Sequence, residues 1–247
     1  MALKHSFEKS GNTLFRYRGQ IPIVLFILAI PVLYFSTQHF PGEPNRSILT
    51  WIAIGMSVLG FLIRAISIGT TPKGTSGRNT KEQVAESLNK TGIYSVVRHP
   101  LYLGNYFMWA GIVFYTFNFY FFIIVSLGFW LYYERIMFAE ERFLERKFGR
   151  PYLDWSKKVP AFIPKFSIYQ KNKIPFSFKS VLRREYSGVL ATVIGFCFID
   201  YLRQYFLSGE FGVVRNSAYV LAATAILTLI LRSLKHYTKI LNEEGRS

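Results

Sequence analysis

Six long apolar blocks decide what this chain can become. Ile21–Phe40, Ile48–Ile68, Leu101–Phe117, Phe119–Ala139, Ser187–Leu207 and Val213–Leu231 each approach the roughly 20 apolar residues that a helix needs to cross a bilayer. In hydrocarbon every backbone N–H and C=O must find its partner inside the segment, which leaves helices as the natural solution for blocks of this length. The predicted fold class is all-α: a multi-pass transmembrane helical bundle of about six spans. The third block is short, its link to the fourth around Asn118 is tight, and the fifth carries Asp200 and Arg203.

A net charge of +16 would point a soluble protein toward nucleic acid. Placement points elsewhere. Of the 30 Lys and Arg, 27 fall in the N-terminus, the 64–100 loop, the 135–186 segment and the C-terminal tail, which are alternate connections between the blocks. The positive-inside rule puts that set in the cytoplasm, with both termini, and calls for an even number of spans. The reading is a bacterial inner-membrane protein with the bilayer as its partner and no nucleic acid. The basic loops also suit anionic lipid head groups or an anionic lipid substrate. The single cysteine, Cys197, allows no intrachain disulfide and no metal site. Residues 1–20 are polar and basic, suited to a membrane surface, and the run after them reads as a retained helix rather than a cleaved leader.

Several local signals organise the connections. Pro31 is expected to kink the first span. Pro41–Asn45 reads as a tight turn, and Arg64 as a side chain that snorkels from the end of the second span. Gly69–Thr91 is polar. Its Thr71–Thr80 part could cradle a phosphate or carboxylate, or be a solvated connector, and Lys81–Leu88 could form a short helix. Glu140–Phe148 has the pattern of an amphipathic helix stopped by Gly149. Val159–Pro164 is expected to run extended, because residues before proline avoid the helical region. Lys165–Arg184 reads as a basic, aromatic surface linker.

The chemistry concentrates at two places. Arg98-His99-Pro100-Leu101-Tyr102-Leu103-Gly104 sits where a polar loop meets the third apolar block, and Glu140-Glu141 ends the fourth. If both blocks span, they form an antiparallel hairpin and these ends meet on one face. Arg98 is permanently charged, His99 titrates near neutrality, and the glutamates only accept. Pro100 starts a helix whose first-turn amides attract anions, and Gly104 admits a ligand or a neighbouring backbone. Such a set suits a zwitterion such as an amino-acid head, and it also suits a charge-pairing staple with no ligand.

Gly92-Ile93-Tyr94-Ser95-Val96-Val97-Arg98-His99-Pro100-Leu101-Tyr102-Leu103-Gly104 with Gly111, followed by Glu140-Glu141, Leu144, Phe148-Gly149, Tyr152, Val159-Pro160 and Ile163-Pro164, resembles the signature of the isoprenylcysteine carboxyl methyltransferase family and its phospholipid methyltransferase relatives. The resemblance implies S-adenosyl-L-methionine as methyl donor, no metal, and a membrane lipid or lipidated acceptor bearing a carboxylate, phosphate or amino head group. By resemblance Arg98, His99 and Glu141 are the catalytic candidates, and Tyr94, Arg98, His99, Pro100, Tyr102, Gly104, Glu140 and Glu141 the cofactor-binding ones. Tyr94, Phe107 or Trp155 would form the adenine slot. Residues 1–173 would be the methyltransferase core and 174–247 an extension with two more spans, which the motifs do not cover. Two other functions suit the same features: a membrane reductase of related fold using a nicotinamide nucleotide, and a non-enzymatic membrane scaffold.

Overall fold

The computed structural model describes residues 2–39, 46–72, 74, 83, 85–210, 212 and 215–246. Among them the chain forms α1 (Ala2–Tyr17), α2 (Ile21–His39), α3 (Arg46–Gly69), α4 (Pro100–Phe114), α5 (Phe119–Phe148), α6 (Arg150–Ser156), α7 (Phe178–Ser208) and α8 (Arg215–Tyr237). No strand occurs among the described residues; an isolated bridge joins Gly92 to Gln170. The all-helical, multi-pass bundle expected from the apolar blocks is the architecture found. Four helices, α3, α5, α7 and the Asn216–Tyr237 part of α8, are long and apolar enough to cross a membrane, and the apolar stretch Ile23–Gln38 of α2 is shorter. At 15 residues α4 is roughly 22 Å long, less than the hydrocarbon core of about 30 Å. It ends early because Phe117 takes a positive φ of 59° and Asn118 turns the chain, its side chain accepting from the Phe121 amide at 2.9 Å.

Other boundaries moved for equally local reasons. The fourth apolar block and the amphipathic segment after it form one 30-residue helix, closed at Gly149, whose φ is +57°. The last seven residues of the expected linker, 178–184, are helical. Ser177 caps α7 through the Ser180 amide at 3.0 Å, and Val181 and Arg184 are buried. Ala85–Leu88, expected in a short helix, is irregular. The Pro41–Asn45 turn lies outside the described residues, as does most of Thr71–Thr80. α2 continues through Pro31.

The bundle is tied at both ends. At one, the Ser177 amide donates to the Gly69 carbonyl at 2.8 Å and the Arg246 guanidinium to the same oxygen at 3.1 Å, joining α3, α7 and the tail. At the other, Asn118 donates to Ser36 at 3.0 Å, and Arg203 of α7 donates to the Tyr115 carbonyl. α1 packs along the second half of α5: Glu8 pairs with Arg146 at 2.5 Å, the Arg135 guanidinium lies 3.3 Å from the Phe7 ring centre, and Tyr132 donates to the Leu14 carbonyl at 2.7 Å.

α3 and α4 pack closely, because small residues face each other. A Cβ on Gly60 would stand 2.5 Å from the Gly104 carbonyl oxygen, and one on Gly104 would stand 2.8 Å from the Gly60 oxygen and 2.5 Å from Arg64 Cγ. In lipid, where burying hydrocarbon gains little, such close backbone approach is a main source of helix association. Gly60→Leu should therefore destabilise the bundle by about 1–3 kcal/mol through overpacking. Gly55→Leu, on the same helix with nothing within 4 Å of its would-be Cβ, should be silent. Thermal unfolding of the two variants in detergent checks the contrast.

Candidate functional site

The hairpin of α4 and α5 brings the two sequence blocks together. Pro100 opens α4, and His99 stands at its N-cap. The irregular segment after α6 braces that point: the Arg98 amide donates to the Pro160 carbonyl at 2.9 Å, the His99 amide to Ala161 at 3.1 Å, and the Lys165 amide to Val96 at 2.9 Å. The Val-Pro and Ile-Pro steps of the second block thus lie beside the Arg-His-Pro of the first.

Glu141 is the hub. One of its oxygens accepts from Arg98 Nε at 2.9 Å and faces His99 Nε2 at 2.9 Å. Arg98 Nη1 donates to the carbonyls of Ser156 and Val159, both at 2.6 Å, so its guanidinium is largely engaged by the protein itself. Glu140 lies 3.5 Å from His99 Nδ1, and the His99 ring stacks on Tyr102 with 5.6 Å between centres. His99 is only 7% exposed. Burial opposes a charge on the imidazole, but hydrogen bonds to Glu140 and Glu141 outweigh it and hold its pKa above the ordinary value. A protonated ring donates to both carboxylates at once. Burial also pushes the Tyr94 phenol up to about 12 and raises that of Tyr152.

A cavity of about 380 Å³ opens beside this cluster. Tyr94, Arg98, His99, Pro100, Tyr102 and Glu140 line it, with Trp155 as a further aromatic wall. Glu141, Gly104 and Phe107 are not in its wall. Adjacent helical residues point about 100° apart, so Glu140 reaches the cavity while Glu141 holds Arg98 and His99. Gly104 admits α3, as described above, rather than the cavity. The amide expected to serve an anion at the start of α4 is partly used: the Tyr102 and Leu103 amides both donate to the His99 carbonyl at 3.1 Å.

Segments outside the two blocks add to the wall. α1 brings Phe15 and the turn after it Arg18, α3 brings Arg64, the irregular stretch 85–89 adds Ala85 and Leu88, and α7 brings Arg184 and Glu185. Arg64 does not snorkel to the interface. Its Nε and Nη2 donate to Glu185 at 2.6 and 2.7 Å, and its Nη1 to Asn105 Oδ1 at 2.6 Å. Glu185 is 2% exposed. The signal for this pair was present in the sequence, a lone Arg inside one apolar block and a carboxylate at the edge of another, but 121 residues separate them.

Two outcomes follow. Because the folded-state pKa of His99 is raised, its stabilisation is complete below the unfolded value of about 6.5 and declines as pH rises through the raised value. Unfolding temperature should therefore fall as pH rises above neutrality, and this slope should shrink in Glu141→Gln. Glu185→Ala leaves the Arg64 charge buried without its carboxylate and should cost about 3–5 kcal/mol, whereas the double change Arg64→Met with Glu185→Leu should recover most of that loss in the same melts.

Comparison with known proteins agrees with this geometry. The phospholipid methyltransferase family matches over residues 48–151, from α3 to the start of α6. The protein-S-isoprenylcysteine O-methyltransferase of Schizosaccharomyces pombe is 35% identical over 44% of this chain and 48% of its own length. Nickel-cobalt-cadmium resistance protein NccN of Alcaligenes xylosoxydans xylosoxydans is 27% identical over 63% of this chain and 70% of its own. Methanethiol S-methyltransferase 2 of Bradyrhizobium diazoefficiens is 27% identical over 58% of each. The chain thus spans only about half of the fission-yeast protein's length. No solved structure matches the chain. The two sequence blocks folded into one charged cluster lie within or beside the part of the chain that is similar to phospholipid methyltransferases, and the chain also resembles isoprenylcysteine methyltransferases over about half its length.

Proposed function

We propose that this protein transfers a methyl group from S-adenosyl-L-methionine to a lipid or lipidated acceptor, in the cavity beside His99 and at the cytoplasmic face of the membrane. The observation that carries the reading is the placement of the Arg98–His99–Glu140–Glu141 cluster at an aromatic cavity of about 380 Å³, a size within the ordinary range for small-molecule sites. The residues fit the donor. Glu140 offers a carboxylate to an ammonium. The faces of Tyr94, Tyr102 and Trp155 suit a nucleobase or a sulfonium. The cavity's arginines suit a carboxylate. When bound, the donor supplies a methyl already activated by its sulfonium. Transfer would join that methyl to an acceptor oxygen or nitrogen through the acceptor's lone pair, with the electron pair of the broken C–S bond left on sulfur.

The protein's work is then alignment and exclusion of water. His99 and Glu140 touch the donor in this reading. Arg98 and Glu141 act as positioning residues that fix the imidazole and brace the segment after α6. An anionic oxygen acceptor needs no base, and the wall of Arg18, Arg64, Arg98 and Arg184 against Glu140 and Glu185 favours such an anion. An amine acceptor must shed a proton. His99, already holding protons toward two carboxylates, is poorly suited to take it; of the two cavity carboxylates Glu185 is engaged by Arg64, which leaves Glu140 as the candidate.

Calorimetric titration of detergent-purified protein with S-adenosyl-L-methionine tests the proposal. Binding should weaken by about 10- to 100-fold in Glu140→Gln, the loss expected for one buried charged hydrogen bond of about 1.5–3 kcal/mol, and should vanish in His99→Ala. A folded protein that ignores S-adenosyl-L-methionine but binds NADPH in the same cell overturns the methyltransferase mechanism in favour of a reductase.

A further inference from the structure

A second cavity, of about 430 Å³, lies within the membrane-spanning part of the bundle, between α3, α4, α7 and α8. Its walls are apolar: Ile54, Val58 and Phe61 from α3, Met108 from α4, and Val189 and Val193 from α7. The polar side chains among them, apart from the exposed Asn216, are already engaged. Ser57 donates to the Met108 carbonyl at 2.9 Å, Thr192 to Gly188 at 3.0 Å, and Cys197 to Ser217 at 3.4 Å. At the far end the Asp200 carboxylate accepts from Tyr115 and Ser217, each at 2.5 Å, and pairs with Arg203 at 3.4 Å. That end is a closed polar floor. Groups that have satisfied one another offer little to a polar ligand, so the space selects hydrocarbon.

The two cavities are in register. One helical turn separates Phe61 from Arg64, Asn105 from Met108, and Glu185 from Val189, a rise of about 5 Å on each of three helices. The first residue of each step nearer the charged cluster belongs to the first cavity, and its neighbour to the second. Gly188 stands at the junction. A Cβ there would lie 3.6 Å from Glu185 and 3.7 Å from the tip of Met108, both ordinary contact distances. Along α7, the wall from Val189 to Asp200 runs about 16 Å. Val58 and Val220, at the edges on α3 and α8, are 49% and 54% exposed on helices that face lipid, so the cavity opens sideways into the bilayer.

We infer that this second cavity holds the hydrocarbon chain of the methyl acceptor, drawn from the bilayer, with the acceptor's polar end beside Arg64 and Glu185 in the first cavity and its chain stopped by the Asp200 floor. The inference rests on the methyltransferase reading above and assigns a role to α7 and α8, which lie outside the segment matched by the family. Occupancy by a chain follows from the setting: an apolar space open to lipid fills with what the bilayer supplies, and the floor limits how long a chain fits.

Photolabelling tests it. The protein is placed in nanodiscs with palmitic acid carrying a diazirine near its methyl end, irradiated, and its adducts mapped by mass spectrometry, while S-adenosyl-L-methionine binding is measured on the same samples. Adducts are expected within 54–61 and 189–197, and are expected to disappear in Val193→Trp and in Thr192→Trp, which fill the cavity far from the charged cluster. Donor binding should be unchanged in both variants. Adducts confined to the outer faces of the helices, or adducts in the cavity segments that persist in both filled variants, overturn the inference. Cavity labelling in a protein that binds no S-adenosyl-L-methionine upholds chain occupancy and instead removes the methyltransferase mechanism.

Discussion

The structure depends on one partly buried carboxylate, Glu141. It joins Arg98 and His99 at the start of α4 to the end of α5, and through Arg98 it reaches the carbonyls of Ser156 and Val159. A carboxylate removed from water must be compensated by charge and hydrogen bonds together, and here one oxygen faces both cations. Because α4 and α5 are antiparallel neighbours, the same contact fixes the hairpin and orients the imidazole. Stability and site geometry therefore rest on the same few atoms. The staple and the ligand-site readings of these residues are not alternatives: Glu141 serves the first, and Glu140, one residue earlier and rotated by about 100°, lines the cavity.

Arg64 and Glu185 show how the last two helices join the core. A buried ion pair is poor evidence for stability, because the cost of desolvation consumes most of the attraction. Its effect here is positional. The bidentate contact fixes α7 against α3 at one depth, and Asn105 adds α4 to the same node. The segment that the family match leaves out consequently forms one wall of the cavity. α1 and the turn after it do likewise from the other side, through Phe15 and Arg18.

Much of this was legible in the sequence. Apolar blocks of bilayer length and the stop at Gly149 each follow from local physics: backbone bonding in hydrocarbon, and a positive φ that glycine accepts readily. The meeting of Arg98 and His99 with Glu140 and Glu141 was legible too, since a tight link at Asn118 leaves two helices little choice but to lie antiparallel. These are short-range constraints, and a chain of residues expresses them without knowing its fold.

Only the tertiary structure decided which of two adjacent glutamates faces the cavity, that Gly104 packs against α3, and that Arg64 turns inward to Glu185. It also decided that α7 begins at Phe178, where burial of Val181 and Arg184 extends a helix into what composition reads as a basic linker. Each of these depends on what a residue meets from a distant part of the chain. Helix rotation and partner choice are set by packing between segments more than a hundred residues apart, and no periodicity within a segment records them.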